Sequence, residues 1–424
     1  MITEVPRRNL GVLPALTLLG LLTAVAHTSA QERILPKPRI VQQRRIEGRR
    51  VVRYEHDSTE LWGYKDAQTD YFYVIPAKST LKHAPLRVVL HSAGHSGDAV
   101  LSDAFKHRDW FHYYSDDDCH VLYLDCQRNR ARDWWWGYHE IRRHPELYKG
   151  KLTPTEARVL STIEWVIRKY EVDRNRVYLS GISMGGSGGI GIGLCRGDVF
   201  AAISVAVPAG VEHMEYRMAD GNHPAPPVLV DYSSHIDRWS KGQERLLACC
   251  EKNKYPIVFA WGLFGHNSNV SAANPAVQDF PWLSIRRNEA YPVFTRASID
   301  DKYPGFGNKK GPDQKGQING YFRWKNIEDT KDVFLMELRL VKKEELGNRI
   351  ETPERATADV TPRRVQKFPI VAGDKFKWAM TRDGKTAQSG QVQAGAHGLL
   401  TIPGVIVTAD PSRLILRPGN AAAR

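Results

Sequence analysis

The chain has 424 residues, 42% of them hydrophobic and 25% charged, with 60 Lys and Arg against 47 Asp and Glu for a net charge of +13. That balance excludes disordered and collagen-like chains, and at roughly 150 residues per domain it predicts two or three domains. The basic excess suits an acidic polysaccharide, a membrane surface or nucleic acid. No finger, basic zipper or RNA-reading motif is present, so nucleic acid is not an expected partner.

Arg7 and Arg8 precede an uncharged apolar stretch, Leu10 to Ala26, and small residues follow to Ala30. This is the pattern of a signal peptide, with cleavage expected after Ala30 or Ala26 and a secreted or periplasmic destination. Pro14 interrupts the run, which argues against a stable membrane anchor. Residues 31–59 read as a basic, solvated leader.

A catalytic domain is expected over 60–290. Tyr71–Pro76, Leu86–His91 and His120–Asp125 have strand character. Cys119 and Cys126 bracket the last of these and are too far apart along an extended segment to pair. Thr153-Pro154-Thr155-Glu156 is a capping box with Pro at the first helical position. Val159, Leu160, Ile163, Val166, Ile167 and Tyr170 then form one apolar helical face. Arg176–Ser180, Phe200–Val207, Pro227–Tyr232 and Tyr255–Trp261 read as further strands, and Gly242–Lys252 as a helix. Strands alternating with helices imply a parallel sheet covered on both faces. Residues 291–325 are expected to be connecting loops. From 326 to 424 the period becomes two, as in Phe334, Met336, Leu338 and Leu340, which predicts a C-terminal antiparallel β-sandwich. That tail is read as a structural cap on the catalytic domain, with a glycan-binding module as the alternative.

The chemistry centres on Gly181-Ile182-Ser183-Met184-Gly185, a G-x-S-x-G between a strand and a helix. In an α/β-hydrolase this is the turn that exposes a serine nucleophile in strained backbone. The serine needs a base, and the order of partners in this fold is Ser, Asp or Glu, His. After residue 237 the chain has two histidines. His397 lies in the β-rich tail, so His266, directly after a sheet strand, is the base. Asp237, in the loop leaving Pro227–Tyr232, is the chosen acid, and Asp231 within the apolar run is the alternative. One oxyanion donor is expected from Met184. The other is expected from Ala93 or Gly94, in a loop that looks like the HGGG-type loop of lipases.

Residues 60–270 resemble secreted α/β-hydrolase serine esterases, namely feruloyl esterases, acetyl xylan esterases and polyhydroxybutyrate depolymerases. Val172–Tyr178, Gly181–Gly186 and Asp198–Ala202 carry the likeness. The resemblance implies the triad Ser183, Asp237 and His266. Tyr232-Ser233 replaces the family's usual His-Gly before the acid. Trp134, Trp135, Trp136 and Trp239 are expected to line the substrate site, where exposed rings stack on sugars or a feruloyl group.

The expected function is hydrolysis of esters on plant or algal polysaccharide, or of small esters, with no cofactor and no metal. A serine peptidase on the same triad, or a non-catalytic glycan-binding protein, are the alternatives. Gly186–Gly191 also matches G-x-G-x-x-G, but its context is wrong for a dinucleotide, and close helix–sheet packing is the preferred explanation.

Overall fold

The computed structural model describes residues 37–419 except 58–61, 63, 65–68, 79–81, 108–112, 115, 127–133, 138–140, 142, 145–151, 219–224, 267–269 and 306–314. The expected signal peptide, 1–30, lies outside these residues.

A ten-stranded sheet organises the first three quarters of the chain. In chain order its strands are β1 (Arg39–Ile46), β2 (Arg49–Asp57), β3 (Thr69–Ile75), β4 (Leu86–Leu90), β5 (His120–Leu124), β6 (Val177–Ile182), β7 (Ala202–Ala206), β8 (Val228–Ser234) and β9 (Ile257–Gly262). After β10 (Tyr291–Thr295), which belongs to another sheet, β11 (Gly316–Ile318) closes the far edge. The order in space is β1-β2-β3-β5-β4-β6-β7-β8-β9-β11. β4 to β9 are parallel, β1 to β3 and β11 antiparallel.

Helices α1 (Gly97–Lys106), α2 (Pro154–Lys169), α3 (Met184–Gly193) and α4 (Gln243–Asn253) cover the sheet. The α2 start was legible in the sequence, since the Thr153 hydroxyl accepts the Glu156 amide at 3.2 Å. One core lies beneath α2, α3 and α4 and includes Val88, Leu160, Ile190 and Leu246. The opposite core includes Val89, Leu101, Tyr178 and Trp282. The central strands are apolar on both faces because both faces are covered.

Two expectations need correction. The stretch read as a basic leader is largely the first hairpin of the sheet, β1 and β2. In β2, Val51, Val52 and Tyr54 are buried while Arg50 is exposed. The arginines masked a strand that is covered on both faces, with Val51 in one core and Val52 and Tyr54 in the other. Residues 291–325 are likewise not simply connecting loops. They contain β10, β11 and the start of β12 (Phe322–Asp329).

β13 (Phe334–Leu340), β14 (Arg355–Arg363), β15 (Lys375–Arg382), β16 (Lys385–Gln393), β17 (Ile402–Thr408) and β18 (Ser412–Pro418) complete the tail. A sheet β10-β14-β17 faces a sheet β12-β13-β18-β15-β16. Phe294, Phe322, Met336, Val405 and Leu414 fill the space between, with Phe294 and Phe322 stacked at 4.0 Å. The sandwich of the sequence reading is therefore present, but it begins earlier than residue 326.

The sandwich docks on the N-terminal ends of the parallel strands. The buried Arg364 donates to the carbonyls of Phe200 at 3.1 Å and of Ala201 and Pro226 at 3.4 Å, just before β7 and β8. Arg363 donates to Lys254 at 3.0 Å, ahead of β9. These carbonyls lie where each strand begins, so the C-terminal ends stay uncovered by the tail. Burial pushes the Arg364 pKa down from its ordinary value, and the Tyr291 ring at 5.1 Å shares its surroundings. Arg364→Ala strips several buried carbonyls of their donor, and each unmade bond is costly. It is expected to lower stability by about 3 kcal/mol, read as a fall in the urea midpoint.

Candidate active site

Ser183 sits between β6 and α3 with φ 56 and ψ −114. Non-glycine residues avoid this region, at a cost of about 1–3 kcal/mol. The strain persists because the flanking backbone is held on both sides. The Ser183 amide donates to Ala206 at 3.0 Å, and its carbonyl accepts from Ser187 at 2.8 Å and Ala209 at 3.1 Å. A Cβ on Gly185 would lie 2.0 Å from the Leu90 carbonyl oxygen, so only glycine allows α3 this close to the end of β4. That approach brings the elbow beside the loop that follows β4.

The serine hydroxyl lies 2.7 Å from His266 Nε2. His266 Nδ1 lies 2.6 Å from Asp237 Oδ2. Three residues far apart in sequence thus form one hydrogen-bonded line at the C-terminal end of the sheet. Asp237 is buried and fixed by further donors: the Trp239 amide at 3.0 Å and the Ser240 hydroxyl at 3.3 Å. The Gly265 amide donates to the Ser234 hydroxyl at 2.9 Å, which ties the histidine loop to the end of β8. Ser234 and Ser240 carried no signal in the sequence beyond their proximity to Asp237.

Asp231, the alternative acid, does not join this line. It is fully buried and hydrogen-bonded to the Gln243 amide of α4. Burial pushes its pKa up to about 7. The strand pleat aims it at α4, whereas Asp237, three residues beyond β8, is free to turn toward His266.

The loop after β4 presents amides near the elbow. Ser92 N–H donates to the Tyr113 hydroxyl at 3.3 Å, and His95 N–H to the Ser92 carbonyl at 3.2 Å. The amides of Ala93 and Gly94 make no hydrogen bond among the described residues, and both residues are exposed. The Met184 amide likewise heads α3, where helix geometry leaves it without an intrahelical partner.

The four tryptophans divide into two pairs. Trp134 and Trp239 face one another at 6.2 Å between ring centroids, and Trp239 lies 6.3 Å from His266. Trp239 is 41% exposed. Trp135 and Trp136, expected to line the substrate site, are instead fully buried in the core beneath α3. Cβ atoms on Gly188 and Gly191 would lie within 2.5 Å of their side chains, so the glycines of α3 make a flat bed for the two rings. This is the packing explanation of G-x-G-x-x-G. The Trp135 indole donates to the His91 carbonyl at 3.1 Å, and Trp136 to the Ser187 hydroxyl at 2.9 Å. His91 itself accepts the Cys126 amide at Nε2, 2.9 Å, and its Nδ1 lies 2.9 Å from the Ser92 carbonyl. His91 is therefore a brace for the loop carrying Ala93 and Gly94, and it is fully buried.

The strand order, the strained Ser183 elbow and the Ser183–His266–Asp237 line together define the α/β-hydrolase fold. No protein-family model matches the chain, and no match was found among curated proteins. Similar solved structures include an S-formylglutathione hydrolase from Agrobacterium tumefaciens, 13% identical, covering 54% of this chain and 92% of that one with a TM-score of 0.38. A ferulic acid esterase is 14% identical, covering 55% and 97% with a TM-score of 0.37. An acetyl xylan esterase from Aspergillus awamori is 13% identical, covering 51% and 94% with a TM-score of 0.36.

The two aspartates are separable by experiment. Asp237→Asn should lower turnover of an activated ester by about 10⁴-fold, and Asp231→Asn should leave it within a few-fold. Asp231→Asn should instead change stability against pH. The folded chain holds the Asp231 proton up to about pH 7, whereas an unfolded one loses it near 3.8. Between these values the folded state binds more protons, so this group's contribution falls as pH rises. Urea midpoints of the Asn variant should decline less between pH 4 and 7 than those of the wild type.

Trp135→Phe keeps an aromatic ring, though a smaller one, and removes the donor to the His91 carbonyl. Its kcat should fall about tenfold with KM nearly unchanged, measured by steady-state kinetics. An unaltered kcat would show that the loop needs no such brace.

Proposed function

We propose that the protein is an exported serine esterase that hydrolyses acyl or feruloyl esters carried on plant or algal polysaccharide. The observation that supports the reading is the line Ser183 Oγ, His266 Nε2, His266 Nδ1, Asp237 Oδ2, with consecutive separations of 2.7 and 2.6 Å across its two hydrogen bonds. The first is within the reach that proton transfer requires, and the second is short enough to fix the orientation of the ring.

In this mechanism His266 Nε2 takes the Ser183 proton as Oγ attacks the ester carbonyl. Asp237 holds the Nδ1–H tautomer and stabilises the imidazolium without becoming protonated. The tetrahedral oxyanion is held by the Met184 amide and by Ala93 or Gly94. His266 then protonates the departing alcohol oxygen, leaving an acyl group on Ser183. A water, deprotonated by His266, attacks that acyl carbon, and collapse of the second tetrahedral intermediate releases the acid and returns the proton to Ser183.

The substrate class follows from the surroundings. Trp134 and Trp239 offer aromatic walls beside His266, suited to a sugar face or an aryl acyl group. Only about twenty residues separate β7 from β8, too few for a large cap, so the cleft can admit an ester on a polymer. Export rests on residues 1–30 and their signal-peptide pattern.

The test is hydrolysis of p-nitrophenyl acetate, methyl ferulate and acetylated xylan by the wild type and Ser183→Ala. Turnover of at least one of them, falling by about 10⁴-fold or more in the variant, is expected. Equal activity in both proteins would exclude Ser183 as the nucleophile.

A further inference from the structure

A groove of about 580 Å³ lies on the other side of the molecule, where segment 280–290 meets the sandwich. Its volume is within the roughly 300–1,000 Å³ typical of ligand sites. Segment 280–290 is fastened to the N-terminal ends of the parallel strands. The Tyr178 hydroxyl donates to Ile285 at 3.0 Å, and the Arg287 amide to Asn175 at 2.8 Å, both at the start of β6. Ser183 follows the other end of β6. Six extended residues at about 3.3 Å each put the groove on the order of 20 Å from the nucleophile.

The floor is aromatic. Trp324 of β12 is half-buried and lies against Phe280 at 5.7 Å, tilted 48°. Beyond Trp324 the β12–β13 ladder is broken between Lys325 and Glu328, and Asn326 takes a positive φ of 50. Such bulges redirect side chains beside binding sites. The rim is polar and uncharged in places. Asn288 is exposed and makes no side-chain hydrogen bond among the described residues, and Gln366, also exposed and lining the groove, donates its amide N–H to the Arg364 carbonyl at 2.6 Å.

Four cations, Arg286, Arg323, Lys325 and Lys367, and two carboxylates, Glu289 and Asp329, line the groove. Three of the cations are already engaged: Arg286 pairs with Asp173 at 3.2 Å and Glu289 at 3.3 Å, Lys325 pairs with Glu337 at 3.3 Å, and Arg323 donates to the carbonyls of Gly320, Phe322 and Ala276.

An anion would therefore have to compete with these partners for every cation but Lys367. An acyl chain would desolvate the amides of Asn288 and Gln366 without pairing them. A pyranose chain meets both demands, with an apolar ring face for the indole and hydroxyls for the amides. We propose that this groove is a second, non-catalytic binding site for a neutral oligosaccharide segment of the polymer whose esters the triad cleaves. The inference rests on the esterase reading for its purpose, and the groove would hold the polymer so that its esters reach Ser183 at raised local concentration.

The full chain carrying Ser183→Ala is titrated calorimetrically with xylohexaose, cellohexaose and mannohexaose. At least one should bind. Adding Trp324→Ala or, separately, Asn288→Ala should weaken that binding by about tenfold or more. Asn288 is exposed and its side chain makes no hydrogen bond among the described residues, so its variant keeps the test decisive if Trp324→Ala fails to fold. In the otherwise wild-type chain, Trp324→Ala should retain p-nitrophenyl acetate turnover and lose activity on the acetylated polymer of the same backbone. No binding of any of the three sugars, or binding undiminished by both substitutions, overturns the proposal. Silence of the wild type on every ester, with sugar binding intact, would overturn the esterase reading alone.

Discussion

The site depends on how near α3 can lie to the ends of β4 and β6. At Gly185 the backbone of the helix and the Leu90 carbonyl meet at a distance that no side chain tolerates. This contact puts the first amide of α3, the strained Ser183 and the loop after β4 in one place. The same helix, bare of side chains at Gly188 and Gly191, receives two indoles on its other side. A helix of six glycines in ten residues has poor intrinsic propensity, so packing rather than backbone preference must keep it formed. Its burial from end to end is the consequence.

The tryptophan run connects this helix to the chemistry. Trp134 and Trp135 both have positive φ, at 40 and 72, which is strained for large side chains. The turn persists because Trp135 and Trp136 are buried and each donates one hydrogen bond, to the His91 carbonyl and the Ser187 hydroxyl. Adjacent residues thus have different tasks. Trp134 remains beside Trp239 near His266, while its two neighbours set the position of the loop and of the helix beneath.

Much of this was legible in the sequence because it was local. The α2 cap, the elbow and the apolar central strands are patterns of a few residues with known geometric meaning. The Ser183–His266–Asp237 line was expected from the sequence because the order of partners along the chain leaves few histidines to choose from. The division of Trp134–Trp136 was not legible, since a turn can send three consecutive rings to different places and composition does not say which. β1 and β2 were hidden because arginines crowd both strands, and only Val51, Val52 and Tyr54 of β2 supply buried apolar side chains. β10 and β11 were hidden because each is short and pairs with a partner distant in sequence. The choice between Asp231 and Asp237 came down to which carboxylate stands clear of the strand, and that depends on where β8 ends.

The arginine-rich hairpin has a meaning beyond the fold of a single chain. A ten-stranded sheet has two free borders, and an unpaired border is a template on which another chain can add a strand. β1 is exposed along almost its whole length and carries Arg39, Arg44 and Arg45, while the opposite border, β11, is only three residues long. One border repels its own likeness by charge, and the other offers too little backbone to hold a guest. The residues that obscured the first strands in the sequence are thus ones that discourage the sheet from growing.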